Sequence, residues 1–173
     1  MRFVDMRQVQ APMSEVWAAL HDSEVLRQVI PGCERLHSVG QGEYAATLAA
    51  RVGRLADTYR GTFSIDDVRG GSDLVVTVTS RGRCGSFELD LDVRLREGAS
   101  PHTTLLAYDA HARVGGLVAR LGRAPLTLAG GHITAAFFRE LDRAVTRPAA
   151  AASALVAAQR RPAPAERLVQ AAR

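Results

Sequence analysis

Lysine and asparagine are absent from this chain, and all 22 basic residues are arginine. Alanine, glycine and valine are abundant. That bias reads as genomic base composition, so no single surface arginine carries functional weight. Cysteine is scarce: Cys33 and Cys84 lie far apart, in no spacing that would ligate zinc. A reduced pair in the cytoplasm is the expectation. No apolar run is long enough to cross a bilayer. Met1 to Gln10 lacks the apolar centre of a secretion signal, so a cytoplasmic protein is expected. There is no P-loop, no dinucleotide fingerprint and no metal motif, and no bound metal is expected.

Charge is unevenly spread. From Arg143 onward six arginines face one acid, Glu166, a net of +5, while the preceding 142 residues carry −1. The basic character therefore belongs to the tail, and no nucleic-acid face is expected on the domain. Residues 1–146 read as one domain. Residues 147–173, rich in Ala, Pro and Arg, read as a flexible basic tail. Arg147, Arg160, Arg161, Arg167 and Arg173 are its candidates for contact with an anionic membrane or an acidic partner.

What is present is a row of strands followed by one long apolar stripe. Arg2 to Val9 reads as a first strand. Ala11-Pro12 breaks it. Ser14 is the expected cap of a short helix, Glu15 to His21, and Asp22 or Ser23 of a second, Glu24 to Ile30. Pro31-Gly32 ends that helix. Strands are expected over Glu34–Val39, Glu43–Val52, Leu55–Val68, Leu74–Ser80, Phe87–Glu97 and Thr103–Val114. The clearest is Phe87–Glu97, where Phe87, Leu89, Leu91, Val93 and Leu95 alternate with charged residues. In the last strand Leu106, Tyr108, Ala110, Ala112 and Val114 are expected to face inward. Asp109 and His111 should then form an outer-face pair without a catalytic role.

From Gly115 to Arg143, apolar residues recur at three- and four-residue steps, the period of a helix with one buried stripe. Gly115, Gly116, Gly122, Gly130 and Gly131 lie in or beside it, and Pro125 should kink or restart it. Helix glycines cost about 1 kcal/mol each relative to alanine. They permit either close packing on the sheet or a cavity for a bulky apolar guest. The expected fold is α+β: a curved antiparallel sheet wrapped around this helix.

Several segments resemble a known family. Ala11-Pro12 through Val16-Trp17 to Leu20 is similar to its A-P-x-x-x-V-W-x-x-L segment. Leu26 through Ile30-Pro31-Gly32-Cys33-Glu34 resembles the L-x-x-x-I-P-G-C-E segment of the CoxG family of carbon monoxide dehydrogenase subunits. Val52-Gly53 to Gly61, Val114-Gly115-Gly116 and Phe137-Phe138 fall where that family has V-G, F-x-G, V-G-G and F-F. The resemblance covers about residues 3 to 143. Arg81 to Ser86 is shorter than the family's Gly/Ala-rich bulge, and Pro125 departs from its helix. The resemblance implies the helix-grip (START-like, SRPBCC) fold. It also implies a hydrophobic ligand, such as the isoprenoid quinones menaquinone or ubiquinone. The implied partner is a molybdenum hydroxylase such as carbon monoxide dehydrogenase, with peripheral contact at the cytoplasmic membrane.

On that fold the candidate lining is Leu26, Ile30, Tyr59, Phe63, Tyr108, Gly116, Leu117, Leu121 and Leu128, with Pro31, Gly32 and Cys33 as the rim. Plain core packing is the alternative for each. Cys33 has no neighbour in sequence that would lower its pKa, so an inert thiol is expected. His132 either donates to a quinone carbonyl, faces solvent or is satisfied within the core. No catalytic residue is expected. Two alternatives stay open: a ligand-free assembly or maturation factor, and a polyketide cyclase-like enzyme, which would need positioned acid/base groups. Only Tyr44, Tyr59 and Tyr108 on the inward faces approach that need.

Overall fold

Alternation of apolar and polar residues builds the sheet. In β6 (Gly85–Glu97) Val93 and Leu95 are buried, while Glu88, Asp92, Arg94 and Arg96 are exposed. The same period runs through β1 (Arg2–Val9), β2 (Cys33–Gly40), β3 (Glu43–Val52), β4 (Leu55–Arg69), β5 (Asp73–Arg81) and β7 (Thr104–Gly116). The computed structural model describes residues 1–159, with side chains through Thr146. The side chain of Arg147 and residues Arg160, Arg161, Arg167 and Arg173 of the expected tail lie outside the described residues.

All strand pairs are antiparallel, in the order β1-β7-β6-β5-β4-β3-β2. Residues directly opposite share a face, so the register defines the inner surface. Tyr44 lies opposite Phe63, Phe63 opposite Val78, Val78 opposite Leu89, and Leu89 opposite Ala112. The alternation expected for β6 and the inward face expected for β7 are those observed. Asp109 and His111 meet on the outer face at 3.4 Å, where Arg2 also binds Asp109.

Two short helices follow β1. α1 (Met13–His21) begins at Pro12, not at Ser14. Pro12 already fixes the entry, and its carbonyl accepts from Glu15 and Val16 N–H at 3.0 and 3.1 Å, so no side-chain cap is used. α2 (Ser23–Val29) is capped by Asp22, whose carboxylate accepts from Glu24 and Val25 N–H at 2.8 and 3.2 Å.

The long helix starts later than its periodicity suggests. β7 continues to Gly116, a 3-10 turn covers Val118–Leu121, and α3 runs Arg123–Gln159, past the boundary expected at residue 146. Two glycines in the left-handed region make the breaks, Gly116 at φ 78° and Gly122 at φ 85°. Leu117 and Leu121 therefore do not belong to the helical stripe. Pro125 falls in the first turn of α3, where a missing N–H leaves no helical bond unmade, and it starts the helix instead of kinking it.

Only two of the five glycines lie inside α3, and their surroundings differ. A Cβ on Gly130 would come within 2.8 Å of the Phe3 ring, whereas one on Gly131 meets nothing within 4 Å. Close packing on β1 explains Gly130. Gly131→Ala is expected to raise stability by about 1 kcal/mol. Gly130→Ala should show no such gain, because the Phe3 ring has to move. Thermal melts of the two variants give the comparison.

Candidate functional site

The core is concentrated at one end of the grip. Val9, Val16, Val29, Leu95 and Leu141 are essentially inaccessible there, with Leu26, Phe63, Leu74, Leu106 and Val145 around them. Phe63 stacks on Tyr44 at 4.9 Å between ring centroids. This is the end carrying α1, α2 and the second half of the described part of α3.

The other end is different. From Arg123 to Glu140 no residue of α3 is buried. Facing it on the sheet, Leu48, Tyr59, Phe87, Leu89 and Val114 point inward, are half-buried, and lie outside the packed core. Leu121, in the 3-10 turn that follows β7, is half-buried as well. The result is an apolar strip that folding leaves half covered. At its margin a cleft of about 360 Å³ opens between Met1, Ala112, Val114, Ala119, Gly122 and Leu126.

The base of the strip is aromatic. Tyr108 packs on Phe138 at 5.8 Å, and Phe138 meets Phe137 edge-on at 5.6 Å. Burial pushes the Tyr108 phenol up, and Asp5 adds to the shift; Thr134 and Arg7 oppose it. Burial pushes the Tyr59 phenol up as well, assisted by Asp57. Both remain neutral hydroxyls at physiological pH. They can hydrogen-bond to a guest but are not poised as bases. Among the described residues no three His, Cys, Asp or Glu side chains converge to hold a metal.

The predicted lining residues divide. Tyr59 lies on the strip, Tyr108 packs against the core at its base, and Leu121 is half-buried in the 3-10 turn beside it. Ile30, Pro31 and Cys33 are half-buried at the junction of α2 and β2, and Gly32 there is exposed. Leu26 and Phe63 are core residues, 4% and 8% exposed, and line nothing open. Leu128 is 67% exposed. At 100° per residue it sits about 140° round the helix from Leu141, off the inward stripe. His132 is exposed on the opposite side from Leu141 and faces solvent. Gly116 is exposed at the end of β7, and Leu117, at 50%, stands at the edge of the opening. The Cys33 thiol is pushed up by burial, with Arg27 only partly offsetting, so its thiolate is disfavoured.

The I-P-G-C segment has a physical role. The Ile30 carbonyl accepts from Cys33 N–H at 3.1 Å, and the Gly32 carbonyl accepts from Ala49 N–H at 2.8 Å. Gly32 adopts φ 74°, and a Cβ there would lie 2.1 Å from the Ala49 carbonyl oxygen. The segment stops α2 and ties it to β3 beside the strip.

Asp57 carries no motif that marks it in the sequence, although it continues the inward phase of Tyr59, Gly61 and Phe63. Its side chain is 3% exposed. The carboxylate accepts from Cys84 N–H at 2.6 Å and Thr58 N–H at 2.8 Å, fixing the β5–β6 turn. The Cys84 bond, opposed by desolvation, holds its pKa below the usual value. A carboxyl depressed in the fold stabilises above its unfolded pKa and loses that contribution as pH falls through the folded one. Melting temperature should therefore drop below the ordinary aspartate range. Asp57→Asn should flatten part of that drop in a pH series of melts.

A family model for CoxG, a subunit of carbon monoxide dehydrogenase, matches residues 6–146. No curated protein matched the sequence. Solved structures share the fold. A conserved protein from Geobacillus kaustophilus superposes with a TM-score of 0.80 at 22% identity, covering 85% of this chain and 96% of its own. A START superfamily protein from Mycobacterium smegmatis gives 0.65 at 11%, covering 84% and 97%. The Zhui aromatase/cyclase from a Streptomyces species gives 0.61 at 17%, covering 85% and 94%. These identities speak for the helix-grip fold alone.

Proposed function

Because this chain belongs to the CoxG family of carbon monoxide dehydrogenase subunits, we propose that it is a non-enzymatic carrier of an apolar membrane molecule, serving a molybdenum hydroxylase such as carbon monoxide dehydrogenase. The observation that carries this reading is the half-covered apolar strip under α3. A domain without a guest gains stability by closing such a surface, since burial is worth about 25 cal/mol per Å². Here the helix leaves it open. A prenylated quinone, menaquinone or ubiquinone, has the matching chemistry. Its isoprenoid chain would lie along Leu48, Phe87, Leu89, Val114 and Leu121. Its carbonyls would accept from the neutral phenol of Tyr59 or Tyr108. When bound, the quinone would supply two-electron redox chemistry that the side chains of the strip lack.

The polar groups on the strip support a carrier more than a catalyst. They are neutral phenols; Asp57, beside Tyr59, is committed to two backbone N–H groups, and Asp5, opposite Tyr108, is held by Arg7 and the Met6 N–H. The test is calorimetric titration of the full chain with a short-chain menaquinone analogue. One-to-one binding in the micromolar range or tighter is expected. Failure to bind, together with turnover of an aromatic polyketide that Tyr59→Phe or Tyr108→Phe abolishes, would replace the carrier reading with a cyclase-like enzyme.

A further inference from the structure

Three tips of the sheet gather at the open end of the strip. They are the β3–β4 turn at Gly53-Arg54, the β5–β6 turn at Gly82 to Cys84, and the β7–α3 junction. The β5–β6 turn packs on the start of β4, where Gly82 lies against Asp57 and Thr58, and it binds the β7–α3 junction, where Val118 N–H donates to the Cys84 carbonyl at 3.0 Å. Residues 51–56, 81–86 and 114–127 contain six arginines, 51, 54, 81, 83, 120 and 123, and no acid. All six are exposed. Among the described residues five of them form no ion pair, and Arg83 reaches only the buried Asp57, at 3.7 Å. The far end has the opposite sign. Residues 40–43, 66–73 and 96–103 hold five acids, Glu43, Asp66, Asp67, Asp73 and Glu97, against Arg69 and Arg96. The domain is nearly neutral in sum but strongly polar along the grip axis.

We propose that this arginine-rimmed open end is a docking face for an anionic lipid surface, and that the domain meets the bilayer mouth-first. The proposal rests on the carrier reading and adds the route by which an apolar guest enters. Charge complementarity identifies the surface, because unpaired arginines are drawn to acidic headgroups, each strengthening attachment about fivefold. The apolar residues identify lipid as the partner. Leu117 stands 50% exposed between the arginines, and Leu128 and Ile133 project from the first turns of α3. An apolar side chain within a basic ring suits insertion below headgroups. The charge axis would orient the molecule before contact, turning the acidic end away. A guest leaving the bilayer would then pass directly onto Leu121, Val114 and Phe87 without crossing water.

The experiment is flotation of the full chain with vesicles of phosphatidylcholine and phosphatidylglycerol, at low and raised salt. Arg54→Gln/Arg120→Gln/Arg123→Gln is expected to weaken partitioning about a hundredfold. Arg160→Gln/Arg161→Gln/Arg167→Gln removes the same charge from the tail and should weaken it much less. Leu117→Ser should lower the part of binding that survives raised salt. Arg54, Leu117, Arg120 and Arg123 are exposed, and melts verify the fold of every variant. Unchanged partitioning of the first triple variant overturns the proposal. So does a result in which that variant still floats but no longer co-elutes with a molybdenum hydroxylase, which assigns the face to an acidic protein. The flotation outcome is independent of guest binding. If the menaquinone analogue fails to bind while mouth-dependent flotation persists, the carrier reading falls and the docking face stands.

Discussion

Gly32→Ala is expected to destabilise the domain by about 2–5 kcal/mol. Two costs add. A side chain in the left-handed region costs roughly 1–2 kcal/mol. The new Cβ also sits 2.1 Å from the Ala49 carbonyl oxygen, a backbone atom held in the β3 ladder that has no rotamer to change. Forced overpacking of this kind costs about 1–3 kcal/mol. At roughly 2–4 °C per kcal/mol for a domain of this size, melting should fall by on the order of 10 °C. Gly53→Ala is the matched control. Gly53 also has a positive φ, 60°, but a Cβ there meets nothing within 4 Å. Its loss should be confined to the backbone term. Equal losses for the two variants would mean that contact with Ala49 does not hold the α2–β2 junction.

The second large effect concerns the strip. Leu89→Trp is expected to reduce affinity for an apolar guest at least tenfold while lowering the melting temperature only slightly. Leu89 faces inward between Val78 and Ala112, is half-buried, and lies outside the packed core. The indole would extend along the half-exposed strip and not into the closed core. The same enlargement at Leu95, which is fully buried, should cost about 1–3 kcal/mol or more in stability. Comparing the two by melts and by analogue titration separates guest space from core. A destabilisation at Leu89 equal to that at Leu95 would show the strip to be closed.

Much of this was legible in the sequence because strands write their faces with period two. The inward residues of β3, β4, β6 and β7 follow from alternation alone, and a cap at Asp22 or Ser23 follows from their place before an apolar run; the structure uses Asp22. The beginning of α3 was not legible. Leu117, Leu121 and Leu128 happen to fall at helical spacing, yet Gly116 and Gly122 turn the chain before the helix begins. Periodicity does not register such breaks. Leu26 and Phe63 were indistinguishable from lining residues, because one apolar face supplies both the closed end and the open end. Asp57 was within reach of the alternation but looks like a turn residue until Cys84 is folded against it. The basic rim was invisible for a different reason. Its arginines come in pairs from three segments, and the net charge of the domain hides them against the acids of the far end.

The carrier account turns on whether the strip holds a guest. The direct measurement is organic extraction of the natively expressed full chain, followed by mass spectrometry of what is released. One prenylated apolar molecule per chain, lost in Leu89→Trp, is the expected result. An empty extract that stays empty after incubation with a menaquinone analogue would contradict the account and leave a ligand-free assembly factor.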